Sequence, residues 1–153
     1  MSATENLKKL NITLPPAPAK GGVYEPCKVF GGNLLYVSGC GCIIDNQPAA
    51  GKLGQDYTLE QGQEFARRSM LNVLSVVQAK LGSLERVKNV VKILVFVASA
   101  DDFYMQPQVA NGASQLLIDV FGAEIGTPTR SAVGMNVLPG NLPVEIEAIF
   151  EFE

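Results

Sequence analysis

The chain contains no histidine in its 153 residues. This absence excludes Ser-His-Asp and Cys-His nucleophile systems, histidine-ligated zinc, and the histidine acid/base pair of many nucleases. Any chemistry must therefore use carboxylates, Arg, Lys, Tyr, Ser, Cys or backbone groups.

Basic residues are also scarce. Twelve Lys and Arg stand against fifteen Asp and Glu, which gives a formal charge of −3 and a sequence pI of about 5.0. A nucleic-acid-binding protein normally carries a concentrated basic surface, whereas the basic residues here are scattered apart from the pairs Lys8-Lys9 and Arg67-Arg68. We therefore expect no nucleic-acid partner.

Long apolar runs are missing as well. No stretch approaches the roughly 20 residues that span a bilayer. The first twelve residues, "MSATENLKKLNI", have neither the apolar core of a signal peptide nor the arginines of a transit peptide. We expect a cytoplasmic protein with no membrane partner.

The three cysteines are an odd count. In "SGCGC", Cys40 and Cys42 would lie about 6 to 7 Å apart on a strand, which suits a disulfide poorly. A lone C-x-C without further ligands is also a weak metal motif, so we predict no metal site and expect small, buried, reduced thiols. Cys27 has no partner that the sequence assigns.

The length and an apolar fraction of 47% fit one domain, residues 1–153. Ser2 and Glu5 form a capping box that predicts a short helix over residues 3–10. The segment "LPPAPAKGG" at 14–22 is too rich in proline and glycine for a helix or strand. It predicts an extended arm, lying on its own domain or on a neighbour.

The rest of the chain predicts an α+β domain with one sheet. Gly31-Gly32 is a hairpin signal between two short strands. A second capping box, at Thr58 and Gln61, begins a helix that ends at Gly82, and Pro107 begins another that ends at Gly122. The predicted strands cover 28–30, 33–38, 90–98, 131–137 and 144–152.

Two long helices can cover only one face of such a sheet. The segment Val90 to Ala98 is apolar on both sides, and residues 144–152 add another apolar row. Something must cover the second face, and the economical candidate is another copy of this chain.

Arg130, in "TPTRSAV", is the most informative single residue, because no neighbouring residue offers it a charge partner. It either pairs with a Glu at the surface or presents its planar fork to a carboxylate or phosphate. Acidic residues alternate with apolar ones in the last strand, at Glu145, Glu147 and Glu151. Either these side chains form a solvated face, or one of the carboxylates enters a cleft opposite Arg130 and holds or activates a water molecule. Spacing alone leaves these alternatives open.

The chain resembles the RidA/YjgF family of enamine/imine deaminases over roughly residues 20 to 152. The resemblance rests on "YVSGCGC" after a glycine hairpin, on "VKNVVKILVFVAS" with "DDF" behind it, and on "TPTRSAV" and "LPVEIEAIF" at their separation. The longer amino-terminal arm, the "PQVANGASQLLIDVFG" helix and "VGMNVLP" are similar to a divergent branch of that family.

The resemblance implies a chorismate-mutase-like fold with two helices on one face of a mixed sheet. It implies a homotrimer with a central barrel and clefts between subunits. It also implies hydrolysis of short 2-enamine and 2-imine acids to 2-keto acids and ammonia without a cofactor. In that chemistry the family's arginine, here Arg130, binds the substrate carboxylate, and Glu145 positions the attacking water. Ser38 and Tyr24 match further substrate-binding positions.

The sequence departs from the family pattern around the implied pocket. Ala132 stands where many members have a cysteine, and Cys40 replaces a glutamine or similar polar residue. Asn111 and Ser114 compete for the position of the family's asparagine. Two other functions are therefore retained as alternatives: non-catalytic binding of a small carboxylate, and the endoribonuclease or translation-inhibitor activity also ascribed to this family.

Overall fold

The computed structural model describes residues 1–153 and has the predicted α+β organisation. The helices are α1 (Ala3–Lys9), α2 (Leu59–Leu81), α3 (Gln106–Phe121) and the short α4 (Ala123–Gly126). The strands are β1 (Cys27–Phe30), β2 (Leu34–Gly41), β3 (Val87–Ala98), β4 (Thr129–Met135) and β5 (Val144–Phe152). Short 3-10 turns cover Leu84–Arg86 and Pro139–Asn141.

Local signals fixed most boundaries correctly. Both capping boxes form, and Gly82 ends α2 in the left-handed conformation with φ of 82°. Gly31 and Gly32 both have positive φ, 60° and 87°, in the turn between β1 and β2. The predicted helices and the hairpin are therefore confirmed.

The strand ends differ from prediction where pairing partners decide them. β2 continues to Gly41 through an irregularity between Val37 and Cys40, because β5 extends alongside it. β4 begins and ends two residues earlier than predicted, since its parallel partner β3 ends at Ala98, opposite Met135. Arg130 consequently lies within β4 and not just before its first residue.

The five strands form one mixed sheet in the order β1-β2-β5-β3-β4. The β3–β4 pair is parallel and the other pairs are antiparallel. A parallel neighbour needs a crossover connection, and α3 supplies it here. β1 and β4 are the two edges of the sheet.

The long helices α2 and α3 cover one face of the sheet, as predicted. The buried core lies between these helices and the sheet, and it includes the fully buried strand residues Ile93, Ile146 and Phe150. The other face stays open in the single chain and carries Tyr36, Val133 and Met135, each 37 to 39% exposed. Its cover by a second copy remains a prediction.

The amino-terminal segment packs on its own domain as far as residue 15. Ala3 is buried, and the Glu85 carboxylate accepts hydrogen bonds from the backbone N–H groups of Ala3 (3.2 Å) and Thr4 (2.9 Å). The Ser75 hydroxyl donates to the Pro15 carbonyl at 2.7 Å. Residues 16–25 are exposed, so the arm splits into a docked part and an exposed part.

Gly112 lets α3 approach α2 closely, which sets the height of α3 above β4. A methyl group built on Gly112 would overlap the backbone carbonyl of Gln63 on α2. We expect Gly112→Ala to lower the free energy of unfolding by about 2 to 3 kcal/mol, because the clash is with backbone and not with a flexible side chain. Urea unfolding measures this. Gly21→Ala, which meets no atom within 4 Å, is the control; equal stability of the two variants would contradict the close approach.

Candidate functional site

Arg130 is held against α3 by two hydrogen bonds. Its register partner on β3 is Ile93, which is fully buried under the helices. The Arg130 side chain therefore projects from the same, helix-covered face of the sheet. Its Nη1 donates to Asn111 Oδ1 at 2.8 Å and to Ser114 Oγ at 3.1 Å. Both residues between which the sequence could not choose therefore contact the guanidinium.

The remaining donors of Arg130 are free. The chain forms three ion pairs, and Arg130 takes part in none of them. Nε and Nη2 make no hydrogen bond within the chain, since both Arg130 bonds leave from Nη1. The surface ion pair considered from the sequence is therefore absent. The edge of the guanidinium that carries Nε and Nη2 is free to donate two parallel hydrogen bonds to a carboxylate. Ala132, two residues along β4, is half-buried on the same side. We call Arg130, Asn111, Ser114 and Ala132 the arginine cluster.

Tyr24, Ser38 and Cys40 meet at the other end of the sheet. The Ser38 hydroxyl donates to the Glu25 carbonyl at 2.7 Å, and the Tyr24 hydroxyl accepts from the Gly21 N–H at 3.0 Å. These three residues line a cavity of about 220 Å³ beneath the exposed arm. The structure thus brings together three of the predicted site residues.

Glu145 borders the same cluster from the open face of the sheet. Its carboxylate lies against Gly39, and a methyl group at Gly39 would overlap Oε1. Burial, followed by the charge of Glu147, raises the pKa of Glu145. Glu147 in turn accepts a hydrogen bond from the Tyr36 hydroxyl at 2.7 Å. We call Tyr24, Ser38, Gly39, Cys40 and Glu145 the carboxylate cluster.

Cys40 is a thiol and not a thiolate in this setting. Burial, with a contribution from the Glu145 charge, raises its pKa to about 12. Its Sγ donates to the Ser38 carbonyl at 3.6 Å. Cys40 and Cys42 are buried, as expected, and all three cysteines are free. A buried thiol of this pKa is a poor nucleophile, so Cys40 shapes the cavity.

The two clusters lie far apart within one chain. Arg130 aligns across the sheet with Ala148, whereas Glu145 aligns with Phe96 and Val133 on the opposite face. Glu145 lies on β5, which β3 separates from β4, and the residues of the cluster on β2 lie one strand further away, about 14 Å from the axis of β4. A single copy therefore does not bring Arg130 and Glu145 into one cleft.

Residues 5–149 match the family described as "YjgF/chorismate_mutase-like, putative endoribonuclease". The chain belongs to the RidA/YjgF family. A curated relative, "Protein TCP17" of Trypanosoma cruzi, is 44% identical over 95% of this chain and 91% of its own length. The "2-iminobutanoate/2-iminopropanoate deaminase" of Dermatophagoides farinae is 30% identical over 93% of this chain and 95% of its own length.

A solved structure from Shewanella oneidensis, described as a "putative endoribonuclease", superimposes with a TM-score of 0.94. It is 26% identical, and the alignment covers 99% of this chain and all of that one. The RidA/YjgF resemblance and the chorismate-mutase-like fold expected from the sequence are thus confirmed. No helix of the chain has the length and apolar character that crossing a membrane requires.

Sequence reasoning undervalued three RidA/YjgF residues. Asn111 and Ser114 are three positions apart on one helix, so their spacing alone indicates a shared face, and both can serve Arg130. Gly39 was noticed only as part of a motif. The Glu145 carboxylate packs against Gly39 because β2 pairs with β5. No local sequence pattern reveals this pairing.

Proposed function

We propose that this RidA/YjgF protein hydrolyses short 2-imino acids, and their 2-enamine tautomers, to 2-keto acids and ammonia. The observation that carries the proposal is the Arg130 guanidinium, which Asn111 and Ser114 fix while its Nε and Nη2 stay free. A fork that its own chain orients but does not neutralise suits a substrate carboxylate.

The reaction makes few demands on the protein. Arg130 holds the carboxylate, and Glu145 accepts a proton from a water molecule whose oxygen attacks the imine carbon. The carbon–nitrogen double bond becomes a single bond as the nitrogen gains a proton. Glu145 then gives the proton that it took from water to the amine, which leaves as ammonia, while the hydroxyl group releases its proton to solvent and the carbon–oxygen bond becomes the keto group. No electrons are exchanged with a redox partner, and the rate gain comes from positioning and from general-base catalysis.

We further propose that the working site forms between copies of the chain. The arginine cluster lies at the β4 edge of the sheet, and the carboxylate cluster lies towards the β1 edge. A ring in which the β4 edge of one copy meets the β1–β2 end of the next would join the two clusters once per interface. The homotrimer with a central barrel implied by the resemblance satisfies this condition. It also covers the open face around Val133 and Met135.

The relatives support this function to different degrees. The name of the Dermatophagoides farinae relative states a deaminase activity on 2-iminobutanoate and 2-iminopropanoate. The name of the more similar Trypanosoma cruzi relative states no reaction. A nuclease function has weaker physical support, because a chain with net charge −3 repels a polyanion.

Gly39→Ala is expected to displace the Glu145 carboxylate, since the added methyl group overlaps Oε1. The backbone of Gly39 does not have positive φ, so alanine itself is tolerated there. We expect kcat to fall about tenfold with KM little changed, and the acidic limb of the pH–rate profile to move. Gly32→Ala is the control for lost stability: it strains the hairpin turn, where φ is 87°, but adds no atom near Glu145, so it should leave the pH profile unchanged. An unchanged pH profile in Gly39→Ala would show that Gly39 does not position Glu145.

Imine hydrolysis is tested with 2-iminopropanoate made in situ from alanine by an amino-acid oxidase in the presence of catalase. Semicarbazide traps the imine that remains, and the protein competes with this trapping by forming keto acid. We expect wild type to lower the initial trapping rate and Arg130→Ala to do so no more than buffer. Equal action of the two proteins would contradict the assigned role of Arg130.

Binding without turnover is the second candidate, favoured by the neutral thiol of Cys40 where the family has a polar residue. The free edge of Arg130 suffices for carboxylate capture whether or not Glu145 activates water. A rise in Tm with pyruvate that Arg130→Ala abolishes, together with no effect on imine trapping, would favour this function.

A further inference from the structure

A second, larger cavity opens beside the carboxylate cluster. Its volume is about 620 Å³, within the range of small-molecule sites. It shares Tyr24 and Ser38 with the smaller cavity of about 220 Å³ that lies over Cys40. A substrate as small as 2-iminopropanoate, held near Ser38, would leave most of this space empty.

Aromatic side chains form the walls of the larger cavity. Tyr24, Phe30 and Tyr36 line it, and they are 45%, 43% and 39% exposed, so each presents ring surface to the space between them. Exposed aromatic residues clustered in a concavity are typical of a binding site for an apolar group. Phe30 and Tyr36 lie on adjacent strands that pair directly.

Two of these rings are fixed in place before any ligand arrives. The Tyr24 hydroxyl accepts a hydrogen bond from the Gly21 N–H at 3.0 Å, and the Tyr36 hydroxyl donates to Glu147 Oε1 at 2.7 Å. Each bond leaves the ring faces free. A ring that is already oriented loses little entropy when it contacts a ligand, which favours binding to a flat, apolar group.

The charged residues of the cavity contribute less. Lys20 lies 3.9 Å from Glu25, and both line the cavity, so their charges partly offset one another. Both side chains are more than half exposed, and water screens such charges. Lys28 adds one exposed charge at the rim. The aromatic walls are therefore the stronger determinant of what the cavity accepts.

We infer that the preferred substrates are 2-imino acids with an aromatic side chain, whose ring lies between Tyr24, Phe30 and Tyr36. This inference rests on the proposed imine hydrolysis and specifies its substrate class. The carboxylate would bind the arginine cluster of one copy. The imine carbon would lie at the carboxylate cluster of the next copy, and the side chain would extend past Ser38 into the larger cavity.

The test compares imines generated in situ from phenylalanine, alanine and glutamate by the same oxidase. For the wild-type protein we expect kcat/KM to be about tenfold higher for the phenylalanine imine than for the alanine imine. Phe30→Ala is expected to reduce this ratio at least fivefold, mainly through KM for the phenylalanine imine. The control Tyr104→Ala removes an aromatic residue that is 78% exposed elsewhere, and it should leave the ratio unchanged.

The outcomes separate this inference from the proposed function. Turnover of the alanine imine at a rate equal to or above that of the phenylalanine imine overturns the inference but keeps the function. A preference for the glutamate imine also overturns it, since Lys20 and Lys28 would then select the substrate. If Phe30→Ala dissociates the assembly in sedimentation and lowers all rates equally, a neighbouring copy fills the cavity and the inference is wrong. No turnover of any imine defeats the proposed function itself.

Discussion

Arg130→Lys is expected to lower kcat/KM for imine hydrolysis at least about a hundredfold. Lysine keeps the positive charge but has no planar fork, so it cannot bind a carboxylate in two parallel hydrogen bonds. It also cannot reproduce the arrangement in which Nη1 is bound to Asn111 and Ser114 while the other edge stays free. The expected loss corresponds to about 2.7 kcal/mol of transition-state stabilisation. Initial rates in the trapping assay measure it.

Arg67→Lys is the matched control for this prediction. Arg67 is a half-buried arginine on α2 that makes no ion pair and no side-chain hydrogen bond. Its replacement should leave kcat/KM within about twofold of wild type, because surface substitutions away from a site have small effects. Loss of activity in both variants would indicate a general charge effect. Retention of activity in Arg130→Lys would mean that the fork geometry is not used.

Glu145→Gln should lower kcat by about a hundredfold and leave KM nearly unchanged. Glutamine has the same shape but cannot accept a proton from water, and general-base catalysis is worth about 10² to 10⁴ in rate. Burial and the Glu147 charge raise the pKa of Glu145 above its ordinary value of 4.5. The active form is the ionised one, so wild-type kcat should fall as the pH drops through that raised pKa, and Glu145→Gln should lose this limb.

Glu147→Gln tests whether the charge of Glu147 raises the pKa of Glu145. Removing the neighbouring charge lowers the pKa of Glu145, so the acidic limb should move to lower pH while activity at neutral pH is kept. The glutamine oxygen can still accept the hydrogen bond from Tyr36. Because the fold raises the Glu145 pKa, ionised Glu145 destabilises the folded state at neutral pH. Glu145→Gln should therefore be no less stable in urea unfolding there. A limb that stays in place in Glu147→Gln would show that another group controls it.

The fold was predictable from the sequence where local chemistry decides it. Ser2 and Thr58 cap their helices, and Gly31-Gly32 turns the hairpin, because each signal lies within a few residues of its effect. The ends of β4 were predicted two residues too late at each end, because a parallel partner more than thirty residues away fixes them. The irregularity after Val37 likewise depends on β5.

The sequence was sufficient to predict which residues belong to the candidate site, but not how they are arranged in space. Arg130 was singled out because its neighbours offer no partner, and the structure agrees that it has none of opposite charge. The side of the sheet that each strand presents follows from register. Period-two patterns within β4 and β5 cannot show that Arg130 and Glu145 emerge on opposite faces. That arrangement is what points to a site shared between copies.

The central claim is that Arg130 of one copy acts with Glu145 of another, and subunit mixing tests it most directly. Arg130→Ala and Glu145→Gln proteins, each inactive alone, are co-expressed as differently tagged chains, and the mixed assemblies are isolated through both tags. In a three-membered ring that contains both variants, one of the three interfaces, or about one third, pairs an intact Arg130 with an intact Glu145. We therefore expect the mixture to regain roughly that share of wild-type activity, and mixed assemblies no more active than their parents would contradict the claim.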